Sequence, residues 1–227
     1  MIPWLEVSET INFPPVSHVL SDPDGLLCAG ADLAPKTLIS AYCQGIFPWF
    51  SAQDPILWWS PAERCVIYPD QIHISRSMQK VLKKNTYSVG FTNRFKEVIS
   101  ACAAPRKDDS GTWITSEMIT AYSTLFDMGV AHAVGLFDGK HLIGGLYGLS
   151  IGRVFFAESM FSAVPNASKI VLIWLARELQ KSNYLFIECQ NESPHLNAMG
   201  ATMIKRKDYL DYLKQACFEK PSKECGK

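Results

Sequence analysis

Between residues 131 and 190 the chain reads as three strands, a helix and a fourth strand with scarcely a break, and this order constrains the fold most. AHAVGLF (131–137), IGGLYGLS (143–150) and VFFAESMF (154–161) have strand character, with turns at Asp138-Gly139 and Ile151-Gly152. They predict a meander. ASKIVLIWLARELQKS (167–182) has the apolar spacing of a helix with Asn166 as its N-cap, and the strand YLFIECQ (184–190) follows at once. Strand, helix and strand in succession form a crossover unit, so the expected class is α+β (α/β), a mixed sheet flanked by helices.

The rest of the chain divides near residue 62. Upstream it is rich in Pro, Gly and aromatics, with turn signals at Pro14-Pro15 and Asp22-Pro23-Asp24-Gly25. One helix is predicted there, over 35–44, with Pro35 in its first turn and Gly45 as its stop. Downstream, RCVIYP (64–69) predicts a strand, and helices are expected at ISRSMQKVLKK (74–84), FTNRFKEVISACA (91–103), 116–128 and KDYLDYLKQA (207–216). Two domains follow as the expectation: a small one over 1–62 and a larger one over 63–227.

With 227 residues the chain can bury roughly 70% of its unfolded surface, so it needs no staples. Its 48% hydrophobic and 19% charged residues exclude a disordered tail and a coiled coil. The longest strongly apolar run, 170–176, is far short of the roughly 18 residues a membrane span needs. No basic stretch followed by an apolar one opens the sequence, so a cytoplasmic protein is expected. The seven cysteines are scattered without a CxxC pair, and the five histidines stand apart. Reduced thiols and no metal are expected.

The zero net charge hides an uneven distribution. Residues 1–62 carry one base against six acids, while 73–107 carry eight bases against Glu97 alone. The basic block suits either phosphate binding or a solvated helix face. Trp49, Trp58 and Trp59 lie close together in GIFPWF and DPILWWSP. Such a cluster is either core or, given its loop setting, a stacking wall. Glu158 and Glu188 sit among apolar neighbours, where desolvation raises a carboxyl pKa toward a useful range. They are either functional acids or structural ones answering Arg153, Lys169 or a helix end. Gln190, two residues past Glu188, is expected on the same strand face, and a carboxylate beside an amide could hold and deprotonate an amine.

Together DGLLCAGADL, AYCQGIFPWF, DPILWWSP, HISRSM, GTWIT, GGLYG, ESMFS, NASK, IECQ and RKDYL, in this order, resemble the leucyl/phenylalanyl-tRNA–protein transferase family of bacteria. The resemblance runs from Pro23 to Leu213. It implies a small N-terminal domain before a GNAT-like acyltransferase domain. It also implies transfer of Leu or Phe, and also Met, from aminoacyl-tRNA to the N-terminal amine of proteins beginning with Lys or Arg, feeding the N-degron pathway of protein degradation. The ester is already activated, so no cofactor or ATP is implied. A monomer is expected.

Carried over by position, Glu188, Gln190 and Glu158 are the implied catalytic residues. Tyr42, Trp49 and Trp113 match the aminoacyl-adenosine site, and Leu146, Phe155, Met160, Leu175 and Ile187 the side-chain pocket. Arg76, Lys80, Lys83 and Lys84 match the tRNA-binding cluster, and their spacing places them along one helical face. Three positions depart from the family pattern: Leu175 stands where Phe is usual, Ala157 where Gly is usual, and Glu188 where the motif is IDCQ. Two rival readings fit parts of the sequence, a coenzyme-A-dependent N-acetyltransferase of the same fold and a non-catalytic RNA-binding module. The first lacks a glycine in its phosphate loop, where Pro165 also removes a donor. The second leaves Glu158, Glu188 and Gln190 unexplained.

Overall fold

The computed structural model describes residues 2–84, 86–104 and 112–226. Four strands lie in the first 60 residues: β1 (Trp4–Leu5), β2 (Leu26–Gly30), β3 (Phe47–Pro48) and β4 (Leu57–Trp59). They form a sheet ordered β1-β2-β4-β3. Helix α1 (Pro35–Cys43) joins β2 to β3 and ends one residue earlier than expected.

The second sheet comprises β5 (Glu63–Ile67), β6 (Ser88–Phe91), β7 (Ala131–Asp138), β8 (His141–Ile151), β9 (Val154–Ser162), β10 (Phe186–Glu188) and β11 (Thr202–Lys205). Its order is β11-β5-β10-β9-β8-β7-β6. Strands β7 to β9 form the predicted antiparallel meander, and β10 lies parallel to β9, as a crossover requires. The remaining helices are α2 (Arg76–Lys84), α3 (Phe95–Ala103), α4 (Ser116–Asp127), α5 (Ala167–Lys181), α6 (Pro194–Asn197) and α7 (Arg206–Ala216).

Period-two alternation sorts the strand residues between two apolar clusters. Tyr147 and Leu149 of β8, Val154 and Phe156 of β9, and Phe186 of β10 cluster with α3, α4 and α7. Leu146, Phe155 and Ile187 cluster with α5 and with Met78 of α2. Helix α5 buries Val171, Leu172, Ile173, Leu175 and Leu179, each worth about 1.5–3 kcal/mol over exposure. Leu38 and Tyr42 of α1 and Trp58 of β4 belong to the first cluster, so the two sheets share a core.

Several local expectations are corrected. Asn166 precedes α5 but adopts φ 69° and makes no side-chain cap. Ser162 Oγ accepts instead from the Ser168 N–H at 2.9 Å. The helix expected over 91–103 starts only at Phe95, because Phe91 ends β6. Strands β6 and β11 had no strand signature in the sequence. Both are edge strands of four residues with no fully buried side chain, too short and too weakly buried to impose a clear alternation. Among the described residues no helix is long and apolar enough to cross a membrane, and no group of three His, Cys, Asp or Glu side chains could hold a metal.

Candidate active site

Strand β9 carries one residue more than its partner can pair. Ser159 opposes Tyr147 and Ala157 opposes Gly148, so Glu158 stands unpaired in a bulge. The bulge resets the alternation, and Met160 packs on the same cluster as Phe155 and Ala157. It also aims the Glu158 carboxyl at Tyr42 of α1 and Tyr122 of α4. Gly148 permits this geometry, since a Cβ there would lie 2.2 Å from the Phe156 carbonyl oxygen.

Around Glu158 the partners are all neutral. Tyr42 Oη lies 2.7 Å from Oε1 and Tyr122 Oη 3.2 Å from Oε2, while the two hydroxyls are 2.5 Å apart. Gln190 Nε2 donates to Oε1 at 3.1 Å. Burial pushes the Glu158 pKa up to about 8, with the Glu188 charge adding to it; Tyr42, Tyr122 and Arg64 pull the other way. Burial and the nearby Glu158 raise Tyr42, Tyr122 and Tyr147 well above the usual phenol range, so these hydroxyls keep their protons.

Gln190 reaches Glu158 by an irregular backbone. Strand β10 stops at Glu188, short of the expected end at 190. Cys189 N–H donates to Cys65 O at 2.8 Å while Cys65 N–H donates to Gln190 O at 3.1 Å, so two residues stand against one. Gln190 has φ 55°, a left-handed conformation that costs a non-glycine residue roughly 1–2 kcal/mol. It turns the Gln190 N–H back to Glu188 Oε1 at 2.7 Å, and the side chain goes to Glu158. The shared-face expectation for Glu188 and Gln190 therefore gives way to a turn.

Glu188 is wholly buried, and so is Arg64 of β5. Arg64 donates to Glu188 Oε1 from Nε at 3.0 Å and from Nη2 at 2.7 Å, and from Nη1 to Gly45 O at 2.7 Å. Its guanidinium lies over the rings of Phe47 and Tyr209. Burial raises the Glu188 pKa, against the pull of Arg64 and of the Gln190 N–H. Arg64 cannot shed its proton in a protein, so Glu188 is its counter-charge. Of the structural partners expected for the two acids, Arg153 instead pairs with Glu219 at 2.5 Å. Sequence reasoning missed Arg64, Tyr122 and Tyr147; the apolar setting of Arg64 in RCVIYP was the one available signal.

A cavity of about 810 Å³ opens at this point, with Glu158, Gln190, Ala157, Met160, Trp113 and His195 on its wall. Glu188 is not on that wall. Leu146, Phe155, Leu175 and Ile187 are also fully buried, in the same cluster as the wall residues Ala157 and Cys189. Trp113 also borders a second cavity of about 640 Å³ that holds Trp49 and Trp59. The tryptophans thus divide. Trp58 is core, donating Nε1–H to Gly30 O, whereas Trp49 is 46% exposed with its ring 5.5 Å from that of Trp59. A slightly larger cavity, about 840 Å³ beside the C-terminal residues 217–226, contains none of these groups.

Arg76, Lys80, Lys83 and Lys84 are exposed on α2, which is anchored by Met78. The lead-in to α2 is tied to the loop after α6 by the His73 N–H donating to Met199 O. His195 and Leu196 of α6 line the cavity, whereas no residue of α2 is among its lining. Arg106 and Lys107 of the basic block lie outside the described residues.

A carboxyl with a raised pKa among neutral hydrogen-bond donors, on the wall of an open cavity bordered by Trp113, marks the candidate active site. The family model for the leucyl/phenylalanyl-tRNA protein transferase matches residues 66–214, and that for its N-terminal domain matches 31–62. The chain belongs to this family, whose members are aminoacyltransferases. It is 50% identical to the leucyl/phenylalanyl-tRNA–protein transferase of Nitrosospira multiformis, over 95% of this chain and 92% of that protein. With the Nitrosomonas europaea enzyme of the same name the identity is 53%, over 89% and 86%. Among solved structures, a GCN5-related N-acetyltransferase from Kribbella flavida aligns with 70% of this chain and 56% of its own. Its TM-score is 0.40 at 8% identity.

Proposed function

We propose that the protein transfers the aminoacyl group of Leu-tRNA or Phe-tRNA, and also of Met-tRNA, to the α-amine of a protein whose first residue is Lys or Arg. The observation that carries this reading is the Glu158–Gln190 pair on the wall of the cavity, in a chain of this family. The amine nitrogen attacks the ester carbonyl carbon, and the C–N bond forms as the C–O bond to the terminal ribose breaks. The amine gives up one proton and the departing ribose oxygen takes one. Glu158 holds the amine and exchanges its proton, and Gln190 fixes the Glu158 rotamer. Glu188 is a positioning residue: bonded to Arg64 and to the Gln190 N–H, it sets the turn that aims Gln190.

Trp49 and Trp113 offer rings on which a terminal adenine can stack. Tyr42 is 1% exposed and so serves through its hydroxyl rather than its ring face. Met160 lines the pocket for the transferred side chain, backed by Leu146, Phe155, Leu175 and Ile187. Such a wall selects by shape, at about 1–3 kcal/mol per methylene. Arg76, Lys80, Lys83 and Lys84 meet tRNA phosphates without reading sequence. The protein works as a cytoplasmic monomer, with residues 1–62 and 63–227 as its N-terminal and catalytic units. Coenzyme A is disfavoured as a substrate because Ser162 occupies the Ser168 N–H at the start of α5.

The test is incubation with radiolabelled Leu-tRNA and Phe-tRNA and a protein bearing N-terminal Arg. Label should enter the acceptor, and acetyl-coenzyme A should not compete. Absence of transfer from either charged tRNA overturns the reading.

A further inference from the structure

Three groups close a triangle behind the cavity wall: the hydroxyls of Tyr42 and Tyr122 and the carboxyl of Glu158. The close oxygen pairs are 2.5, 2.7 and 3.2 Å apart. The two hydroxyls bring two protons. With Glu158 ionised, two protons must serve three oxygen pairs, and one pair is left lone pair against lone pair in a low-dielectric setting. A third proton, on the carboxyl, satisfies all three in one direction around the ring. Oε2–H donates to Tyr122, Tyr122 O–H to Tyr42, and Tyr42 O–H to Oε1. Oε1 keeps a second lone pair for the Gln190 Nε2–H.

We propose that Tyr122 is a positioning residue that completes this three-proton ring, so that the free protein holds Glu158 as a neutral carboxylic acid. The inference rests on the reading of Glu158 as the amine-binding group and deepens it. The groups around Glu158 are compatible with a neutral acid. Tyr42 comes from α1, Tyr122 from α4, Tyr147 from β8 and Gln190 from the turn after β10, and all are uncharged. The charged neighbours, Glu188 of β10 and Arg64 of β5, are paired with each other. Burial raises the Glu158 pKa to about 8 against the two tyrosine hydroxyls when both donate to a carboxylate; in the three-proton ring Tyr122 accepts from Glu158 instead of donating to it.

Substrate binding then moves a proton in a defined way. An uncharged amine entering the cavity takes the Glu158 proton and is held as an ammonium beside a carboxylate, and it returns that proton to Glu158 before its nitrogen attacks the ester. An amine that arrives as an ammonium makes the same pair and releases one proton to solvent. In either case the ring opens, and the tyrosine hydroxyls turn to donate to the carboxylate.

Infrared difference spectroscopy of the free protein across pH 6–9.5 tests this, with Glu158→Gln identifying the Glu158 carbonyl band. The wild type should show a carboxylic-acid band at neutral pH that is lost with a midpoint near 8. Tyr122→Phe removes the hydroxyl that only a protonated Glu158 can fully satisfy, and the midpoint should fall by about half a unit or more. Tyr42→Phe should move it the same way, a second variant should the first fold poorly. If Tyr122 merely donates to a carboxylate, its loss raises the midpoint. An unchanged or higher midpoint, or no such band in the wild type at neutral pH, overturns the proposal. Failure of peptide transfer with the band present would instead sink the functional reading and leave the ring standing.

Discussion

Two glutamates lie on neighbouring strands, Glu188 fully buried and Glu158 partly so at the cavity wall, and they are held in opposite ways. Glu188 faces a guanidinium that donates twice to it, and it lies off the cavity wall. Glu158 is surrounded by neutral donors and lines the cavity. Burial raises both carboxyl pKa values, and the neighbours set what opposes it: a guanidinium at Glu188, chiefly neutral hydroxyls at Glu158. An ion partner favours the charged carboxylate, whereas neutral neighbours leave the burial penalty on the charged form largely in place.

The comparison breaks most visibly at Arg64. Arg64→Met leaves Glu188 buried without its counter-charge, and should destabilise the fold by about 3–5 kcal/mol in denaturant titration. Adding Glu188→Leu should recover much of that loss, because the uncompensated charge is gone. A single-variant loss under about 1 kcal/mol would mean that the pair does not hold Glu188 ionised.

Glu158→Gln tests the other member. Transfer should fall about tenfold or more, with no comparable loss of fold stability. The sign of the pH effect follows from the raised pKa. Between the ordinary carboxyl value and about 8, the native state holds a proton that the unfolded chain has lost. This contribution is complete below the unfolded pKa and is lost as pH rises through the folded one, at up to about 1.4 kcal/mol per pH unit. Relative to wild type, Glu158→Gln should therefore gain stability from pH 5 to pH 8. Parallel stability curves for the two proteins would show that Glu158 is not protonated when folded.

What the sequence showed of these acids was their apolar setting, and what it hid was their partners. The meander and the α5 crossover were legible because period-two and helical patterns are local. Arg64 lies 124 residues from Glu188 and Tyr42 lies 116 from Glu158, and no local pattern links residues so far apart. The bulge at Glu158 was equally silent. It needs Gly148 across the ladder, and GGLYGLS reads as an ordinary strand with small residues. Residues 155, 157 and 159 would share a face under strict alternation, whereas the bulge puts Met160 there instead.

The lysines of α2 sharpen the contrast from outside, where water screens charge. Lys83→Ala with Lys84→Ala should weaken aminoacyl-tRNA binding and flatten its salt dependence by about 0.7–0.9 log units for each phosphate no longer neutralised. Turnover of an aminoacyl-adenosine fragment, which lacks those phosphates, should change far less. Equal losses with both substrates would place α2 in the support of the cavity instead.

The smallest expected effect is also the most discriminating between the two glutamates. Glu188→Asp keeps the charge beside Arg64 and shortens the arm by about 1.5 Å. If Glu188 only fixes the Gln190 turn, the shorter side chain loses one hydrogen bond of three at most, costing roughly 1 kcal/mol of stability. Arg64 can follow it, since the guanidinium is held by rings and by a single carbonyl. Transfer should then stay within about threefold of wild type, with an unshifted pH profile, because the titrating group is Glu158. If Glu188 took the proton of the attacking amine, a displacement of that size would cost about a hundredfold. The midpoint of the pH–rate profile would move as well. A large fall in rate with the midpoint displaced would therefore exchange the roles assigned to the two acids.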